Sequence, residues 1–121
     1  MADEDVWDSI DRLHDWLDAD RSREGRAHDD RAHDDQDELL LRILKLSEEV
    51  GEVARAVIGA TGQNPRKGTT HTWDDVRAEL CDVVITGLVA LRSLAPDARE
   101  VFTAHLAAVT DRSLGTDPGS G

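Results

Sequence analysis

The stretch LKLSEEVGEVARAV, residues 44–57, decides the reading of this chain. Leu46, Val50, Val53 and Val57 alternate spacings of four and three, the mark of one helix face. With Leu39 and Ile43 ahead of them, the stripe predicts a helix over 37–59. Leu40, Leu44 and Ile58 add a second apolar flank, which predicts burial on more than one side. The same helix carries Glu48, Glu49 and Glu52 within five positions. Like charges three or four apart on a helix repel by roughly 0.2–0.5 kcal/mol per pair, so the arrangement calls for something to offset it. At about 100° per residue, with the main stripe near 0°, Glu49 falls at roughly −80°, Glu52 at −140° and Glu48 at 180°. The three acids occupy one arc beside the core face. Gly51, mid-helix, costs about 1 kcal/mol against alanine and invites close helix approach, room for a metal cluster, or plain tolerance.

After this helix comes GATGQNPRKGTTHTW, residues 59–73, whose glycines, Asn64 and Pro65 make a loop. Thr72 with Asp75 three residues later predicts a capping box that starts a third helix near Trp73. That helix runs to about Leu94, with Trp73, Val76, Leu80, Val83, Val84, Gly87 and Leu91 on one face. Glu79 falls near −120° from Trp73 and Asp82 near 180°. Val83 lies on the core side of this second acidic pair, and Ile85 and Val89 lie beyond its other edge. If the two long helices pack antiparallel, the acidic arcs face each other. Four or five carboxylates in a half-buried cleft need raised pKa values or cations. Hard oxygen donors suit Mg²⁺ or Mn²⁺, and the lack of a Cys/His set argues against zinc. A lone Glu-Glu-x-x-Glu on a helix is ordinarily a solvated face, with Lys45 one turn before Glu49 as a surface partner. The second pair, Glu79 and Asp82, favours a site.

Towards the N-terminus, Val6, Ile10, Leu13 and Leu17 predict a first helix over 5–17, widened by Trp7 and Trp16. Residues 18–38 hold nine acids, four arginines and no Val, Ile, Leu, Met or aromatic residue, with RAHDD in tandem at 26–30 and 31–35. Such a segment cannot bury enough apolar surface to fold alone, so a flexible acidic linker is expected, with His28 and His33 as exposed charge rather than metal ligands. Pro96 fits the first position of a fourth helix, whose apolar side is Val101, Phe102, Leu106 and Val109. GTDPGSG, residues 115–121, reads as a disordered tail. No segment alternates with period two. The expected fold is therefore all-α: a bundle of about four helices in one domain, with the helical body at 39–114. The apolar faces are large for so small a chain, which predicts a homo-oligomer.

The net charge of −12 argues against a nucleic acid polymer as partner. No run of about 18 apolar residues crosses a membrane. The opening MADEDVWDSI has no apolar run of the secretory kind. A single cysteine, Cys81, rules out an internal disulfide, suits a reducing compartment and reads as a small buried side chain. A cytoplasmic protein is expected. From Val53 to Trp73 there is no acid, but Arg55, Arg66 and Lys67 are present. The glycine-flanked turn around Asn64, Arg66 and Lys67 is a candidate for holding phosphates; the plain alternative is a polar turn. His71 reads as a loop residue, and Trp73 as core rather than as a base-stacking ring.

KLSEEVGEVARA followed by DDVRAELCDVVI resembles the MazG-like nucleoside triphosphate pyrophosphohydrolases, of the all-α NTP pyrophosphatase group that includes MazG proper and the dimeric dUTPases. The likeness covers about residues 39–94. It rests on Glu48, Glu49 and Glu52 followed by Glu79 and Asp82. It implies hydrolysis of a (d)NTP between the α- and β-phosphates to (d)NMP and pyrophosphate in nucleotide-pool housekeeping, by a homodimer or tetramer. It further implies Mg²⁺ at Glu49, Glu52, Glu79 and Asp82, with Glu48 also at the site. Glu48 or Glu49 is then the candidate base. The acidic repeat at 18–38 and the single helical domain depart from MazG proper, which leaves the choice of substrate open. Two rivals stand beside this reading: a catalytically silent acidic helical module that binds a protein partner, and a phosphohydrolase of the same scaffold acting on another phosphorylated compound.

Overall fold

A computed structural model describes residues 4–23 and 31–115. All described secondary structure is helical: α1 (Val6–Arg23), α2 (Arg31–Thr61), α3 (Trp73–Leu94) and α4 (Ala98–Leu114). No described helix is long and apolar enough to cross a membrane.

Local chemistry sets the ends. Asp5 accepts from the Asp8 backbone N–H while Asp8 accepts from that of Asp5, a reciprocal cap at the start of α1. Thr72 and Asp75 form the expected capping box on α3. Gly62 takes a left-handed φ of 66° after α2, and the Gln63 N–H donates to the Ile58 carbonyl at 3.2 Å. This is the bond that closes a Schellman ending, where only glycine adopts the turn without strain.

α2 and α3 pack antiparallel: Leu46 lies against Gly87, and His71 against Gly59. α1 packs on α3, tied by Arg92 to Asp11 at 2.9 Å, while Arg42 of α2 reaches Asp18 at 2.8 Å. α4 meets α3 and touches α1 through Trp7 against Phe102 and Arg99 on Asp5.

Several expectations are corrected. α1 continues to Arg23 and α2 begins at Arg31, so helix enters both ends of the expected 18–38 linker. An ion-pair bridge joins the two outer bounds of that segment: Arg42, with only 9% of its side chain exposed, pairs with Asp18 and Glu38. Residues 24–30, with His28, lie outside the described residues, as do 116–121 of the tail and the side chain of His33. Pro96 precedes the N-cap Asp97 of α4 and is not its first helical residue. Trp73 and Cys81, expected in the core, are exposed, because that arc of α3 faces away from α1 and α2. Open space surrounds Gly51, which serves neither a close approach within the chain nor the acidic cluster.

Candidate metal centre

The antiparallel pairing sets Glu49 of α2 opposite Glu79 and Asp82 of α3. One carboxylate oxygen from each lies within 4.8 Å of the others. Glu49 and Glu79 are half-buried and Asp82 is exposed, so the group opens to solvent on one side. Burial, reinforced by Asp82, Glu52 and Glu49, pushes the Glu79 carboxyl up, with His71 acting in the opposite sense. That direction is expected when carboxylates share a cleft. Three carboxylate oxygens grouped in this way are a set that could hold a metal ion.

The other expected residues divide. Glu52 is close enough to act on Glu79, but its carboxylate takes a 3.0 Å ion pair from Arg55. Glu48 is 68% exposed, against 16% for Glu49, and lies outside the triad. Lys45 stands between them, 3.8 Å from Glu48 and 3.7 Å from Glu49. Asn64, Arg66 and Lys67 sit in an exposed turn beyond the end of α2. Asn64 spends its side-chain oxygen on the Arg66 N–H at 3.1 Å, and its carbonyl accepts from the Lys67 and Gly68 N–H groups. The cations beside the acids are Lys45 and Arg55.

No known protein family, characterised protein or solved structure matches the chain.

Two features of this region escaped the sequence. His71 folds back on α2, with the Thr70 N–H donating to the Gly59 carbonyl at 3.0 Å and Thr70 Oγ1 lying 2.9 Å from His71 Nδ1. A Cβ on Gly59 would overlap the His71 ring; the only signal was a second glycine inside α2. The other is an apolar cavity of about 330 Å³ between α1, α2 and α3, lined by Leu13, Trp16, Leu41, Lys45, Ile85 and Thr86 among others. Thr86 follows Asp82 by four residues and Lys45 precedes Glu49 by four, so these lining residues lie about 6 Å along both helices from the cluster. Ile85, read as the far edge of the acidic strip, is its wall.

Proposed function

We propose that the protein is a Mg²⁺-dependent nucleoside triphosphate pyrophosphohydrolase that cleaves a (d)NTP to (d)NMP and pyrophosphate, working as a homo-oligomer in nucleotide-pool housekeeping. The observation that carries this reading is the meeting of Glu49, Glu79 and Asp82 from two helices, one turn from an apolar cavity. The resemblance of SEEVGEV and AELCDVV to the MazG-like enzymes supports it from the sequence side. Glu49, Glu79 and Asp82 hold the cation, and Glu52 joins them when Arg55 turns to the substrate's phosphates. A bound Mg²⁺ supplies charge neutralisation of the triphosphate and a lowered pKa for water. Between the two candidate bases, Glu49 takes the proton, because Glu48 stands outside the triad. Lys45 offers its ammonium to the phosphates at the cavity mouth. The apolar walls with Trp16 receive the base, since an aromatic face and aliphatic side chains suit a flat ring.

The test is incubation of the pure chain with a panel of ribo- and deoxynucleoside triphosphates and Mg²⁺, with pyrophosphate and monophosphate both quantified. Equal release of both, stopped by EDTA, is expected. Orthophosphate release would favour a phosphohydrolase of another kind. No turnover with Mg²⁺ or Mn²⁺ would favour the silent binding module.

A further inference from the structure

We infer that Glu38 and Arg42, at the end of the apolar cavity away from the acidic cluster, select the base of the nucleotide and choose guanine, an assignment that rests on the phosphates lying at the cluster as proposed above. All six charges of α2 after Glu38 lie on one half of its circumference. On that side Glu38, Arg42, Lys45 and Glu49 repeat at spacings of four, three and four, which sets them in one line. On α3, Asp82, Thr86, Val89 and Ser93 repeat the same spacings. The antiparallel pairing joins the two lines at both ends. Glu49 meets Asp82 in the cluster, and Arg42 Nη1 donates to Ser93 Oγ at 2.9 Å. The cavity lies between these two meetings, with Leu13, Trp16 and Leu17 of α1 beside it. Arg42 stands about 10 Å along α2 from Glu49, a length that a sugar and a purine fill.

The far end of the cavity is a fixed row of acceptors and donors. Arg42 is held by three elements: Nε donates to Glu38 at 3.3 Å, Nη1 to Ser93 and Nη2 to Asp18 at 2.8 Å. Ser93 Oγ donates in turn to the Val89 carbonyl at 2.9 Å. A guanidinium has five N–H groups, so among the described residues two are left over. Glu38 takes the Arg42 bond on one oxygen, and at 3.3 Å that bond is longer than the 2.7–2.9 Å or so of a tight charge-assisted one. Its carboxylate, only 22% exposed, keeps acceptor capacity on both oxygens. Carboxylate acceptors therefore stand next to guanidinium donors at the end of an apolar slot. The pairing edge of guanine is the complement: N1–H and the 2-amino group donate side by side, and O6 accepts next to them. Two parallel donors match the two oxygens of one carboxylate as a fork does. Adenine, cytosine and uracil each carry a single donor position on that edge. Any of them would leave the half-buried carboxylate short of a partner, which is how a polar site rejects a near-isostere.

The test is titration calorimetry of the full chain with GMP, IMP and AMP in Mg²⁺ buffer. None of these has a β-phosphate to lose, so binding is read without turnover, and IMP lacks only guanine's 2-amino group. GMP is expected to bind about 10-fold or more tighter than AMP, the worth of one bidentate base contact, with IMP between them. Glu38→Gln sets a donor where the carboxylate had an acceptor and should remove the advantage of GMP, with the helical CD signal kept. Should Glu38→Gln fail to fold, the wild-type order decides. GMP no tighter than AMP, IMP as tight as GMP, or no binding of any of the three overturns the inference. A folded Glu38→Gln chain that keeps the full preference for GMP overturns it as well. Preference for GMP without pyrophosphate release from any triphosphate keeps the base site and refutes the hydrolase reading; turnover of all triphosphates without that preference does the reverse.

Discussion

Gly59→Ala tests whether the segment before α3 is locked to α2. In an open helix position the substitution would gain about 1 kcal/mol from helix propensity. Here the added Cβ would lie 2.5 Å from Thr70 Oγ1 and 2.8 Å from His71 Cγ, with the ring nitrogen nearer still. The Thr70 N–H bond to the Gly59 carbonyl holds that segment in place, so it cannot simply slide away. Overpacking of this kind costs about 1–3 kcal/mol. The net is a loss of about 1 kcal/mol, or about 4 °C in Tm for a chain of this size. The assay is thermal unfolding by far-UV CD for wild type, Gly59→Ala, His71→Ala and the double variant. In the His71→Ala background the ring contacts are gone and the Thr70 hydroxyl, no longer beside the ring nitrogen, can rotate away, so the double-mutant cycle should give a coupling of about 1 kcal/mol. A Gly59→Ala chain with raised Tm and no coupling to His71 would refute the reasoning.

Glu49→Gln and Asp82→Asn should each lower metal-dependent turnover by about 100-fold or more, with Tm unchanged or raised because repulsion is relieved. Glu48→Gln should retain most activity; a loss equal to that of Glu49→Gln would return the base to Glu48. The Glu79 carboxyl titrates higher folded than unfolded, so its contribution to stability is fully present below the ordinary glutamate range and is lost as pH rises through the folded value. Glu79→Gln should therefore raise Tm at neutral pH without metal and match wild type in acid, and parallel Tm–pH curves would contradict this. Trp16→Ala should raise KM for the preferred nucleotide by about 10-fold, the worth of one stacking contact, with little change in kcat; equal KM values would remove the cavity from substrate binding.

Periodicity and capping carried much of this fold, and their failures share one cause. Heptad-like spacing on α2 and α3 located both helices, and Thr72 with Asp75 marked the start of α3 within a residue. The same spacing cannot say which apolar arc is covered. It assigned Trp73 to a core that this chain does not build around it, and Cys81, read as a small buried side chain from its residue type, is exposed as well. Composition misled at 18–38, because a segment without apolar residues was read as unable to be helical. Helices enter it from both sides, and Arg42 pairs with Asp18 and Glu38 at its two outer bounds.

The acidic cluster was legible because two spacings of three had to meet once the hairpin closed, and which acids met was a matter of angle. Glu49, at about −80°, lies nearest the face packed on α3, whereas Glu48 at about 180° turns away. The charge-free half of α2 follows from the same geometry. Crowding six charges onto one side of a helix leaves the other side nothing to hold it to water. A helix so divided buries its apolar half only if α3 and something else share the covering. α3 covers one edge and leaves Val50 and Val84 exposed.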